Sequence, residues 1–119
     1  MTDYPLRDKT KAVALRVMNL VNSLPPNEVA HIIGRQLLRS GTSVGANYRA
    51  SMRAKSRADM VNKLKIVEEE ADESLFWLEL LVEGNVVPEA RLKPLMLEFE
   101  EILSMTVASI KTMRDNGRS

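Results

Sequence analysis

The sequence predicts an all-α protein, an antiparallel up-down four-helix bundle with a long second helix. Three observations point there. Apolar residues recur at three- and four-residue spacing along nearly the whole chain, the period of a helix with one buried face. Helix punctuation falls at Pro25-Pro26, Ser56 and Gly84-Asn85, which divides the pattern into four segments. Aromatic residues make up only 4%, with five Gly and five Pro, too few strand formers and turn residues for a β sandwich or barrel. At 119 residues the chain is expected to form a single domain over residues 1–119.

Helix one is expected over residues 6–24, with Leu6, Val13, Val17, Leu20, Val21 and Leu24 on one stripe. Pro25-Pro26 stops it, because proline lacks the backbone N–H and pushes its predecessor toward extended geometry. Helix two is expected over 28–54, with Asn27 as N-cap. Such a rod would be about 40 Å long. Ile33, Leu37, Val44, Tyr48 and Met52 share its apolar face, beside Gly34, Gly41 and Gly45. Each internal glycine costs about 0.5–1 kcal/mol relative to alanine, and close approach of a neighbouring helix is the simplest compensation. A break near Gly41-Thr42-Ser43 is the rival to one continuous helix.

Helix three is expected over 57–83, opened by Ser56-Arg57-Ala58-Asp59, which resembles a capping box. Met60, Leu64, Val67, Ala71, Leu75, Leu78 and Leu81 or Val82 form its stripe, and Gly84-Asn85, both tolerant of the left-handed conformation, close it. Helix four is expected over 88–115, with Pro88 at its first position and Leu92, Leu95, Phe99, Ile102, Leu103, Thr106, Ile110 and Met113 facing inward. Pro94 should kink this helix or delay its start. Each segment is apolar on one stripe only, and four such helices with short joints bury their stripes together.

Composition removes several classes of function. With no cysteine there is no disulfide scaffold, thiolate metal site or cysteine nucleophile. With His31 as the sole histidine, multi-histidine zinc or di-iron sites are excluded. No cofactor, metal or enzymatic activity is expected. No apolar run approaches the roughly 18 residues of a membrane span, and the start MTDYPLRDKTK has no apolar signal core. A cytoplasmic protein with no membrane partner is therefore expected.

The net charge of +1 conceals a strong asymmetry. Residues 1–65 carry twelve Lys/Arg against four Asp/Glu, and residues 66–119 carry five against twelve. No acid occurs between Glu28 and Asp59, whereas Arg35, Arg39, Arg49, Arg53, Lys55 and Arg57 do. Such asymmetry points to a polyanion or to a charged protein interface. On helix two, Arg35 and Arg53 are about five turns apart and project in the same direction. Arg39 and Arg49 lie about 40° to either side, with Thr42 and Ala46 in the middle of the arc. Guanidinium forks bind phosphate oxygens bidentately, so this row can follow an RNA or DNA backbone. The same arginines can equally pair with acids of helices three and four, in one bundle or between subunits, with no nucleic acid involved.

The other candidates are weaker. Glu68, Glu69, Glu70, Asp72 and Glu73 point in different directions on one helix, and no Glu-x-x-His pair accompanies them, so they read as a solvated or salt-bridged face. His31 lies one turn before Arg35 and is expected on the surface. Ser40, Thr42 and Ser43 have no nearby base. Gln36, Ser43 and Asn47 read as structural or interface residues, since a buried amide must find partners. Phe76 and Trp77 are adjacent and cannot both face the interior, so one of them, with Trp77 the candidate, offers a subunit contact.

Residues 36–49, QLLRSGTSVGANYR, follow the pattern Gln-Leu-x-Arg-Ser-x-x-Ser-[Ile/Val]-x-x-Asn through Gln36, Leu37, Arg39, Ser40, Ser43, Val44 and Asn47. That pattern, with the stretch EEADESLFWLELL at 69–81, resembles the 23S rRNA-intervening-sequence protein family of four-helix bundles. It is also similar to the related accessory variability proteins of diversity-generating retroelements. The resemblance extends from about Tyr4 to Ile110. It implies a homopentamer with a basic surface and, by likeness to the retroelement members, a reverse transcriptase and nucleic acid as partners. Many members carry an acid where this chain has Arg49, which makes helix two more basic here.

Overall fold

The computed structural model describes residues 5–117 and is a four-helix bundle with no strand among those residues. The helices are α1 (Pro5–Asn22), α2 (Glu28–Met52), α3 (Arg57–Glu83) and α4 (Glu89–Gly117). Each packs against its neighbours in a closed cycle, α1 on α2, α2 on α3, α3 on α4 and α4 on α1, and the backbones of the diagonal pairs stay apart. Consecutive helices run antiparallel. Gly34 of α2 faces Val21 and Leu24, Gly41 faces Val17, and Gly45 faces the backbone of Thr10, so position falls along α1 as it rises along α2. The result is a rod of 52 × 25 × 22 Å.

Local sequence sets the ends. Asn27 adopts an extended conformation and its side chain accepts the Ala30 N–H, while Ser56 does the same for Asp59. Asp59 in turn accepts the Lys55 N–H at 3.2 Å, one residue before the cap. Helix α1 stops at Asn22, two residues short of the expected end, because Ser23 and Leu24 tighten into i to i−3 bonds before Pro25. Helix α2 stops at Met52 because residues 53–56 must turn the chain into the cap. Helix α4 starts at Glu89, one residue after Pro88, so Pro94 lies within its second turn and does not delay it. Helix α2 runs unbroken through Gly41-Thr42-Ser43.

The core is one cluster drawn from all four stripes. Leu37, Val44, Val67, Leu78, Leu81, Phe99 and Ile102 are fully buried within it. Each such side chain contributes about 1.5–3 kcal/mol by leaving water. Met52, expected on the apolar face, lies at its edge and is exposed. The three glycines of α2 serve close packing against α1. A Cβ on Gly41 would lie 2.9 Å from Val17 Cγ2, and one on Gly45 would lie 3.3 Å from the Thr10 carbonyl oxygen.

Antiparallel alternation also sorts charge. The starts of α1 and α3 and the end of α2 share one end of the rod, which gathers Arg7, Lys11, Arg49, Arg53, Lys55 and Lys63. The ends of α1 and α3 and the starts of α2 and α4 share the other end, where Glu28, Glu83 and Glu89 are mixed with Arg35, Arg91 and Lys93.

Candidate functional site

The arginine row of α2 is present, and its members differ in what holds them. Arg35, Arg49 and Arg53 are exposed and form no ion pair or side-chain hydrogen bond with any described residue. Between them Thr42 turns its hydroxyl onto its own helix, donating to the Leu38 carbonyl at 2.7 Å, and Ala46 is exposed. The middle of the arc is therefore low and open to a backbone passing over it.

Arg39 is different. Its Nη1 donates to Glu70 Oε2 at 2.9 Å and its Nη2 donates to Glu73 Oε2, while its Nε reaches Gln36 Oε1 at 3.4 Å. The pairing with acids of helix three is thus realised within one bundle at this position. Trp77 belongs to the same group, since its indole N–H donates to Glu73 Oε2 at 3.0 Å. Of the two adjacent aromatics, Phe76 faces outward, 49% exposed, and Trp77 is half-buried, the rings meeting edge-on at 5.1 Å.

Arg57 lies at the first position of α3, off the α2 row, and its Nη1 donates to the Met113 carbonyl at 2.9 Å, tying the start of α3 to the last turns of α4. Lys55 lies in the connection between α2 and α3 with an exposed, unpaired side chain. Asn47 donates to both the carbonyl and the hydroxyl of Ser43, one turn back, so these residues organise the α3-facing flank of α2 without bonding across to α3.

Two open grooves meet at Arg49 and Arg53. One runs between α1 and α2 and is edged by Arg7, Lys11 and Met52; the other runs between the end of α2 and the start of α3 and is edged by Lys55, Ser56 and Lys63. Asp8 and Asp59 are the acids there, the latter 4.0 Å from Lys63. Reading α2 alone misses Arg7, Lys11 and Lys63. Their signal is the basic first half of the sequence combined with antiparallel order. Among the described residues no group of three acids and histidines could hold a metal ion, and no helix is long and apolar enough to cross a membrane.

This arrangement can be set beside known proteins. The sequence model of the 23S rRNA-intervening sequence protein family matches residues 2–108. Among solved structures, a protein of unknown function from the S23 ribosomal protein family of Bacteroides thetaiotaomicron VPI-5482 aligns with a TM-score of 0.85 and 37% identity, covering 89% of this chain and 98% of that one. No curated protein matches. Neither description names a reaction. With nearly its whole length matched, the chain belongs to the 23S rRNA-intervening sequence protein family.

Proposed function

We propose that this protein binds the sugar-phosphate backbone of RNA or DNA, without catalysis, through the basic surface where α2 ends and α1 and α3 begin. The observation that carries the reading is the unpartnered state of Arg35, Arg49 and Arg53 on one exposed face. Lys11, Lys55 and Lys63 extend that face around the end of the rod. Cations so gathered repel one another, and a polyanion relieves that repulsion while releasing its own counterions. Among the described residues no exposed aromatic interrupts the row for base stacking, so the contact is with phosphate and is weakly sequence-specific. Self-association, as a pentamer with a reverse transcriptase as further partner, is part of the proposal; it rests on likeness to the retroelement accessory proteins, and the outward Phe76 suits a subunit contact.

The test is fluorescence anisotropy with labelled single-stranded and duplex RNA and DNA at about 50 and 200 mM salt, with light-scattering mass on the same samples. Affinity is expected to fall steeply with salt, and R49E/R53E is expected to abolish binding with an unchanged thermal melt. Absence of binding at low salt, or undiminished binding by a folded R49E/R53E, sinks the proposal. The pairing of Arg39 with Glu70 and Glu73 favours a second reading, in which the basic helix α2 meets acidic helices of another copy or of a partner protein. That reading predicts an assembly that dissociates in high salt and binds no nucleic acid.

A further inference from the structure

We infer that Arg39 is a phosphate contact held in reserve, its guanidinium already occupied by Glu70 and Glu73. The inference rests on the backbone-binding reading above and concerns the regulation of that surface. All three guanidinium nitrogens of Arg39 have protein partners: Nε on Gln36, Nη1 on Glu70 and Nη2 on Glu73. A fork presented with two carboxylate oxygens is engaged as it would be by a phosphate, so the pair acts as a built-in competitor. The competitor is pre-positioned. Glu73 is held by the Trp77 indole N–H at 3.0 Å, and Glu70 has a side chain only 15% exposed. Moving Arg39 onto a phosphate would leave the Glu70 carboxylate largely buried without its counter-charge, which opposes the exchange.

The consequence is a divided row. Arg35 stands alone near the start of α2, and Arg49 and Arg53 stand together at its end. Arg39, about 15 Å from Arg49 along the helix, adds no contact while the acids hold it. Loss of the carboxylate charge at Glu70 and Glu73 frees it and joins the two groups. Any event that neutralises those acids, such as a cationic group of a bound partner, therefore tightens the grip on a polyanion.

The experiment measures anisotropy of labelled oligouridylate and oligothymidylate against salt for the full chain and four variants. R39A is expected to bind within about twofold of wild type with the same salt slope, while R49A loses about one unit of slope. E70Q/E73Q is expected to bind several-fold tighter with a slope about one unit steeper, and adding R39A is expected to erase that gain. An R39A as weak as R49A, or a gain that survives R39A, overturns the inference and leaves the backbone-binding reading standing. No binding by wild type or by E70Q/E73Q overturns both. Binding by E70Q/E73Q alone supports the reserve contact and removes the reading for the native chain. If E70Q/E73Q loses its cooperative melt, E73Q alone frees the Nη2 side of the fork while Glu70 keeps Nη1, so a smaller gain is expected, and it too must vanish on adding R39A.

Discussion

Ser40 and Ser74 join α2 to α3 by a hydroxyl–hydroxyl hydrogen bond of 2.8 Å in the bundle interior. Both residues are fully buried. Ser74 also donates to the Glu70 carbonyl at 2.9 Å, while the second bond of Ser40, to Leu37, is long at 3.4 Å. A buried hydroxyl that loses its partner keeps its desolvation penalty, about 1–3 kcal/mol, whereas removing both hydroxyls strands neither. S74A is therefore expected to destabilise the bundle by about 1 kcal/mol, part of the penalty being offset by the higher helix propensity of alanine. S40A/S74A is expected to be more stable than S74A. Urea denaturation of the set decides it, and a double variant less stable than S74A would show that the pair is not a mutual contact.

Gly41 and Val17 set the spacing of α1 and α2. A Cβ at Gly41 would meet Val17 Cγ2 at 2.9 Å, Cγ1 at 3.2 Å and Cβ at 3.3 Å, so no rotamer of this stiff side chain clears it. Gly41→Ala gains about 1 kcal/mol of helix propensity but overpacks by about 1–3 kcal/mol, giving a net loss. In a V17A background both Cγ contacts are gone, the remaining 3.3 Å contact with Cβ can relax into the space the methyls leave, and the same substitution should become stabilising. Denaturant midpoints of the four proteins test this reversal of sign; an alanine that destabilises equally in both backgrounds places the strain elsewhere.

These two contacts show where the sequence is legible. The glycines of α2 are visible as helix-weakening residues in need of a close neighbour, and the structure supplies α1. Of the buried hydroxyls only Thr106 is visible, by its place on the stripe of helix four. Thr10, Ser40, Ser51, Ser74 and Thr106 lie in the core, each with its hydroxyl bonded to a carbonyl three or four residues back on its own helix. Such back-bonding satisfies the polar atom locally, so the residue packs as a small apolar one while polarity-based patterning assigns it to the surface. The candidate site divides in the same way. The direction of each arginine follows from its spacing on one helix. That Glu70 and Glu73, out of five neighbouring acids, meet Arg39 depends on the register of α3 against α2, which no single helix contains.

Asn85 rather than Gly84 makes the left-handed turn after α3. Its φ is 60°, whereas Gly84 has φ −83°. The Asn85 N–H donates to the Val82 carbonyl and the Val86 N–H to the Leu81 carbonyl, the two bonds of a Schellman ending. A left-handed conformation costs a residue with an ordinary Cβ about 1–2 kcal/mol, less for asparagine and least for glycine. N85A is therefore expected to lose about 1 kcal/mol and N85G to equal or exceed the native stability. Thermal melts order the three, and N85G falling below N85A would show that the asparagine side chain, not the backbone, makes the turn.

Lys9 gives the fold a feature that alkaline pH should reveal. Its ammonium forms an ion pair with Glu101 and lies 3.8 Å from Glu98, tying α1 to α4. The side-chain hydrogen bond to Glu101 is the chief cause that raises its pKa above the usual lysine value of 10.5, with the charges of Glu101 and Glu98 adding to it and desolvation opposing. The folded chain therefore holds this proton more tightly than the unfolded chain, and the contribution to stability is complete below about 10.5. As pH rises through the raised value the ammonium becomes neutral and the contribution is lost. The difference in urea midpoint between wild type and K9M should be constant from about pH 7 to 9 and should shrink above the ordinary lysine range. A difference that grows with pH would mean that Lys9 is held in the folded state as the neutral amine.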